Sequence, residues 1–108
     1  MASDAERVQS AYTAATGGLI EPLVALFDPD FDWEGVEHGL LWWRHVSYIN
    51  VSAEVIDAKQ PRVVVHLRWH EATTPDEQEL FEVLTLPDGK ITELDEYENR
   101  GEALAALL

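Results

Sequence analysis

Two histidines at a spacing known from metal sites lie in the stretch "RVVVHLRWHE", residues 62–71. His66 and His70 are four residues apart, and on a helix that spacing lets two imidazoles bind one zinc ion. The stretch alternates apolar and polar residues, however, which is typical of a strand. On a strand the two Cα atoms lie about 13 Å apart, so the side chains cannot share an ion. The chain also lacks cysteine and a glycine loop that could hold phosphate. We therefore expect neither a metal nor a cofactor.

A second group of residues with chemical potential lies in "GVEHGLLWWRHVSYIN", residues 35–50. If this segment is extended, Trp42 and Trp43 point to opposite sides, so that only one of them faces the interior. His45, in the same segment, is a candidate acid or base on the interior side. Burial of apolar area alone would also explain the two tryptophans, and both interpretations stay open.

The composition limits the kind of protein this can be. The 108 residues fit a single domain, residues 1–108, and 21 acidic residues against 7 basic ones give a formal charge of −14. Binding to nucleic acid or to an anionic membrane surface requires basic patches, so neither partner is expected. The N-terminal "MASDAERVQSAY" has no long apolar run of the kind that a signal peptide or a membrane span needs. We expect a cytoplasmic protein.

Two helices are predicted at the start of the chain. "SDAE", residues 3–6, has the spacing of a capping box and should begin the first helix, which ends at residues 17–18. The second helix should follow directly, with Pro22 in its first turn, where proline is tolerated, and should end at "DPD", residues 28–30. The predicted buried positions are Val8, Ala11, Tyr12 and Ala15 in the first helix, and Leu19, Leu23, Leu26 and Phe27 in the second.

The rest of the chain has the pattern of strands joined by turns. The connections "AKQP", "TTPDE" and "PDG" are too short for parallel crossovers, so the later strands should pair antiparallel. "NRGEALAALL" closes the chain as a short helix. The predicted fold is α+β, with two N-terminal helices packed on one face of a strongly curved antiparallel sheet. The predicted strands cover residues 31–35, 51–57, 62–71, 79–86 and 90–98.

Two of the strands carry apolar residues on both faces. In residues 62–71, one face consists of Val63, Val65, Leu67 and Trp69, and the opposite face still includes Val64. Residues 79–86 are apolar on both sides. A single sheet in a monomer needs only one apolar face, and a second one usually marks a covered surface. We therefore predict a homodimer built on the convex face of the sheet.

Both ends of the chain resemble a known family. "VQSAYTAATGGLIEPLVALFDPDFDWEG" and "PDGKITELDEYENRGEALAAL" are similar to the opening and the ending of SnoaL-like proteins, within the nuclear-transport-factor-2-like superfamily. The resemblance implies a cone, in which helices and a bent sheet enclose an apolar pocket that is open at one end. Members usually carry a third helix between the first strand and the meander. Residues 35–50 replace or shorten that helix here, which implies a reduced or unusually open pocket.

The resemblance also implies site residues. Tyr12 lies where ketosteroid isomerases of this superfamily have an oxyanion-binding tyrosine. Their base and their protonated aspartate fall near Gly35 and Phe81, and neither residue can transfer a proton. Polyketide cyclases of the family use an aspartate as general acid or base, and Asp95 on the last strand is the nearest candidate. Tyr12 and Asp95 are the predicted catalytic residues; the predicted ligand-binding residues are Tyr12, Trp33, Trp42, Trp43, His45, Trp69 and Tyr97.

Three functions remain open from the sequence. The first is binding of a small apolar ligand in the pocket of a SnoaL-like domain. The second is acid/base catalysis without a cofactor on a small cyclic or carbonyl compound, by an isomerase, cyclase, dehydratase or hydrolase type of reaction. The third is a dimerising module whose pocket has collapsed. The volume of the pocket, and whether a titratable side chain points into it, distinguish the three functions.

Overall fold

A computed structural model describes residues 3–31, 51–70 and 76–108 of the chain. Within them the order of elements is α1 (Asp4–Thr16), α2 (Glu21–Val24), β1 (Ser52–Lys59), β2 (Arg62–His70), β3 (Glu77–Thr85), β4 (Glu93–Tyr97) and α3 (Arg100–Ala105). The predicted strand at residues 31–35 lies, apart from Phe31, outside the described residues. The predicted α+β arrangement is confirmed.

The helix starts follow from capping residues. The Ser3 side chain accepts a hydrogen bond from the backbone N–H of Glu6, and the Asn99 side chain accepts one from the N–H of Glu102 at the start of α3. Each bond satisfies a backbone donor that the first turn of a helix leaves free. At the other end of α1, Gly18 has a φ of 96°, a conformation that glycine adopts without steric cost.

The second helix is shorter than predicted. It forms one turn, Glu21–Val24, because the following residues take a tertiary partner instead. The N–H of Ile91 donates to the carbonyl of Leu26, and the N–H of Asp28 donates to the carbonyl of Ile91. These two bonds flank a short parallel bridge between Phe27 and Ile91, just before β4. Leu19, predicted to be buried, is 55 % exposed and lies before the first residue of this helix.

The four described strands form one antiparallel sheet in the order β1-β2-β3-β4, as the short connections predicted. We call the face that packs against α1 and α2 the inner face. Its core consists of Val8, Ala11, Tyr12, Ala15, Ile20, Leu23, Leu26, Val63, Val65, Leu67, Leu84, Leu86 and Ile91. Burial of these side chains is the main force that holds the two helices on the sheet.

The opposite face, here called the outer face, carries a second apolar cluster. Val64, Phe81 and Val83 are fully or almost fully buried there, and Ala103 and Leu107 from the end of the chain cover them. A hydrogen bond from the Arg62 side chain to the carbonyl of Ala106 also ties the end of α3 to the sheet. The apolar residues on the second face, from which the homodimer was predicted, therefore already have a cover within the same chain.

Candidate functional site

The centre of the candidate site is a buried pair of side chains on the inner face. The Tyr12 hydroxyl donates a hydrogen bond of 2.9 Å to Oε2 of Glu82. Tyr12 is 1 % exposed and Glu82 is 7 % exposed. A carboxyl group in such a place is costly unless it is hydrogen-bonded, and Tyr12 supplies that bond.

The elements place the two residues opposite each other. Tyr12 belongs to the buried stripe of α1. Glu82 lies in the middle of β3, where Leu80, Leu84 and Glu82 alternate toward the inner face. Its direct neighbours across the sheet are Val65 on β2 and Glu96 on β4. The pair is therefore held between one helix and the centre of the sheet, among apolar side chains.

Burial determines the protonation of the pair. It raises the pKa of Glu82 from 4.5 to about 7, since an ionised carboxylate loses its hydration there. The hydrogen bond from Tyr12 acts in the opposite direction, and the negative charge of Glu96 raises the pKa of Glu82 further. Burial also raises the pKa of Tyr12 well above its ordinary value of 10.0, and the negative charge of Glu82 is the second cause of this increase. Tyr12 is thus a hydrogen-bond donor, while Glu82 can gain and lose a proton near neutral pH.

The bond to Tyr12 uses one oxygen of the Glu82 carboxyl group, Oε2. Within residues 3–31, 51–70 and 76–108 no buried polar side-chain atom lacks a hydrogen-bond partner. A carboxyl group can form hydrogen bonds at both of its oxygens, so Oε1 is the atom of this pair that Tyr12 leaves for a ligand or a water molecule.

Asp95 and Tyr97 do not lie with Tyr12. Asp95 pairs with Val83 and Tyr97 pairs with Phe81, and directly opposed residues on antiparallel strands point to the same face. Both therefore lie on the outer face, where Asp95 is exposed and Tyr97 packs against the outer cluster. The predicted combination of Tyr12 with Asp95 in one site is corrected by this geometry, and the carboxyl group that meets Tyr12 is that of Glu82.

The remaining predicted residues fall in two groups. Trp69 is half-buried and packs against the inner core near the end of β2, on the same face as Tyr12, as predicted. Four of the predicted ligand-binding residues lie outside the described part of the chain: Trp33, Trp42, Trp43 and His45.

The sequence contained a signal for Glu82. Position 82 is the only polar one in the alternating set Leu80, Glu82, Leu84 and Leu86, so strand periodicity alone places a carboxyl group among leucines. The resemblance pointed one residue away, to Phe81, as the position of a protonated acid. A shift of one residue on a strand moves a side chain to the other face of the sheet.

The histidines of β2 lie on the outer face, as predicted. The His66 ring stacks on Phe81 with centroids 4.3 Å apart, and its Nε2 lies 2.9 Å from Oε2 of Glu79. Nε2 of His70 lies 3.6 Å from Oε2 of Glu77. Each histidine thus has its own glutamate. In the described ranges, no group of three or more histidine, aspartate and glutamate side chains is placed to hold a metal ion.

Comparison with known proteins shows a likeness in fold. The chain is similar to the crystal structure of a protein from Pseudomonas putida described as a "putative polyketide cyclase", with a TM-score of 0.53 and 15 % sequence identity. The match covers 94 % of this chain and 95 % of that chain. No family model matches the sequence, and no curated protein matches it either. At this identity the likeness concerns the fold. Among the described helices, none is long and apolar enough to span a membrane.

Proposed function

We propose that this protein is a SnoaL-like domain that binds a small, largely apolar compound on the inner face of its sheet, with the polar group of the compound at Glu82. The observation that carries the proposal is the buried Tyr12–Glu82 pair. An apolar residue at position 82 would pack against Val65 and Leu84 without the cost of burying a carboxyl group. A site with few polar groups in apolar surroundings is the usual form of a small-molecule pocket.

The orientation of the pair supports this interpretation. Tyr12 bonds to Oε2 and so limits the rotation of the carboxyl group, which leaves the hydrogen-bonding capacity of Oε1 for a ligand. When Glu82 is protonated, it can donate a hydrogen bond to a carbonyl oxygen; when it is ionised, it can accept one from a hydroxyl group. The fold neighbour's description as a polyketide cyclase agrees with a cyclic or carbonyl compound as the ligand.

A second candidate function is acid/base catalysis on the same compound, without a metal or a cofactor. The observation in its favour is the pKa of Glu82, raised to about 7, since a general acid or base works best when its pKa is close to the working pH. Glu82 would take the proton from a carbon next to a carbonyl group, the C–H bond would break, and an enolate would form. Tyr12 would keep the carboxyl group in place during the transfer.

The binding experiment is a titration of ¹⁵N-labelled protein with 1-indanone and cyclohexanone, followed by NMR. We expect chemical-shift changes at the amides of Val65, Glu82 and Tyr12, and weaker binding in Glu82→Leu. The matched control is Asp95→Asn, which removes a carboxylate from the outer face and should bind as the parent does. Binding that is unchanged in Glu82→Leu, or no shift on the inner face with either ketone, would contradict the proposal and favour a dimerising module with a collapsed pocket.

Catalysis is tested separately by hydrogen–deuterium exchange of the α-protons of the same ketones in D₂O. A carboxylate that removes an α-proton exchanges it with solvent and returns a deuteron, so the α-proton signal disappears without any other product. Catalysis by Glu82 predicts that Glu82→Gln slows the enzymatic exchange by about a hundredfold or more, with Asp95→Asn unchanged. Ketone binding without catalysed exchange would leave binding as the function.

A further inference from the structure

Gln9 in α1 forms two hydrogen bonds to the backbone of β1. Its side-chain amide Nε2 donates to the carbonyl of Ala53 at 3.0 Å, and its Oε1 accepts from the N–H of Val55 at 2.7 Å. These are the two bonds that a single residue of a parallel strand makes to the residues on either side of its neighbour. The Gln9 amide therefore takes the place of one residue of an additional strand beside β1.

The backbone that Gln9 holds belongs to the same row of the sheet as Glu82. Val55 is directly opposite Val65, Val65 is opposite Glu82, and Glu82 is opposite Glu96. Neighbouring strands are about 4.8 Å apart, so Val55 and Glu82 lie about 10 Å apart along this row. Gln9 holds one end of the row, while Tyr12, one turn later in α1, bonds to Glu82 at its centre.

We infer that Gln9 is the positioning residue of the Tyr12–Glu82 pair: it fixes α1 against the sheet so that the Tyr12 hydroxyl meets Oε2 of Glu82. The inference rests on the proposed function of that pair. Gln9, Val55, the cross-strand row, Glu82 and Tyr12 form a closed ring of contacts. A shift of α1 along β1 would have to break the bonds at both ends of the ring.

Apolar packing alone does not provide this precision. The contacts of Val8 and Ala11 with the sheet are not directional, so they allow small displacements of the helix at little cost. Hydrogen bonds weaken steeply when distance or angle departs from the ideal. The strand also changes register just after Val55, between Val55 and Asp57, and such irregularities re-aim nearby side chains. The Gln9 amide holds the strand directly before this point.

The test is the pKa of Glu82 in ligand-free protein, followed through its carboxyl ¹³C signal in an NMR titration. The variants are Gln9→Met, Tyr12→Phe and the double variant. Gln9→Met keeps the length of the side chain and removes both bonds to β1, together with the bond from Nε2 to Oγ1 of Thr13 within α1. The Tyr12 hydrogen bond lowers the pKa of Glu82, so both single variants should raise it. If Gln9 acts through Tyr12, the double variant has the same Glu82 pKa as Tyr12→Phe alone.

The matched control is Gln60→Met. Nε2 of Gln60 donates to Oδ2 of Asp4 at 3.4 Å, so this amide also joins α1 to the region of β1 but lies at the exposed end of the helix. Gln60→Met should leave the Glu82 pKa as in the parent. An unchanged Glu82 pKa in folded Gln9→Met would overturn the inference. So would a rise from Gln9→Met that is equally large in the Tyr12→Phe background.

The test stays decisive if Gln9→Met does not fold. Gln9→Asn keeps the amide but shortens the side chain by one methylene group, so it cannot reach Ala53 and Val55 together, and the same comparison applies. In the parent, slow hydrogen exchange of the Val55 amide is a direct consequence of its bond to Gln9, and fast exchange would refute the bond. Because no ligand is used, this outcome is independent of whether ketones bind.

Discussion

The hydroxyl of Tyr12 and the carboxyl group of Glu82 are 2.9 Å apart, although 70 residues separate them in the chain. Tyr12 lies on the first helix and Glu82 lies on the third described strand. Both are buried, and Glu82 has a pKa near neutrality as a result.

The first prediction concerns stability and pH. The pKa of Glu82 is raised in the folded state from 4.5 to about 7, so between these values the folded protein binds the proton more tightly than the unfolded chain does. The free energy of unfolding therefore contains a contribution that decreases as pH rises through this window, by about 3 kcal/mol at 1.36 kcal/mol per pKa unit. In Glu82→Gln this contribution is absent.

Chemical denaturation of the parent and of Glu82→Gln at a series of pH values measures this contribution of Glu82 to the free energy of unfolding. The stability of Glu82→Gln minus that of the parent should increase by about 3 kcal/mol between pH 4 and pH 8. The difference cancels the titration of the other acidic residues and of the histidines, which both proteins share. A difference that stays constant over this range would show that Glu82 is not buried as described.

The second prediction concerns the Tyr12 hydroxyl. Tyr12→Phe leaves the Glu82 carboxylate without its buried donor, so at pH 8 we expect a loss of stability of about 1–3 kcal/mol. Tyr97→Phe is the control, because Tyr97 is half-buried on the outer face and the change should stay within about 0.5 kcal/mol. Denaturant unfolding measures the loss of stability in both variants. Equal losses would mean that the hydrogen bond to Glu82 does not contribute to stability beyond an ordinary tyrosine hydroxyl.

The third prediction uses two neighbouring acids on opposite faces. Glu96 is directly opposite Glu82, and its negative charge contributes to the raised pKa of Glu82. Glu96→Gln should therefore lower the pKa of Glu82. Asp95→Asn removes the same charge one residue earlier but on the outer face, so its effect should be clearly smaller. Carboxyl NMR titrations compare the two variants, and an equal effect would contradict the assignment of faces.

The fourth prediction concerns self-association. A homodimer through the outer face stays a prediction, and α3 covers the apolar part of that face in the same chain. Ala103→Asp puts a charge where Ala103 meets Val64, Phe81 and Val83, and should detach α3. Because α3 and a second copy would compete for the same side chains, we expect stronger self-association in Ala103→Asp than in the parent. Sedimentation equilibrium measures this at a protein concentration of roughly 10–50 μM, which exceeds a typical micromolar dissociation constant. Monomers in both cases would refute the interface.

Much of the fold could be predicted from local patterns. Ser3 marked the start of the first helix, because capping depends only on a side chain and the backbone three residues later. Short turns between alternating segments determined the antiparallel order, since a short link leaves no other pairing. The alternation of Val63 with Val64 correctly assigned the two faces of β2, because successive side chains on a strand point in opposite directions.

The second helix shows where local patterns fail. Leu19, Leu23 and Leu26 have helical spacing. The carbonyl of Leu26 and the N–H of Asp28 nevertheless bond to Ile91 instead of continuing the helix. A tertiary hydrogen bond competes with the helical one, and nothing within the segment indicates which of the two is formed.

Patterns a few residues long were enough to predict which residues alternate, where the first helix begins and which strands are neighbours, because these features depend on interactions between residues close in the chain. The contact of Tyr12 with Glu82, and not with Asp95, arises from the packing of α1 on one face of the sheet. The alternation of residues along a strand shows which of them share a face. Which of the two faces a helix covers depends on the register of β3 and β4 and on the position of α1. That choice placed a glutamate among leucines at the centre of the sheet, and it raised the pKa of Glu82 to about 7.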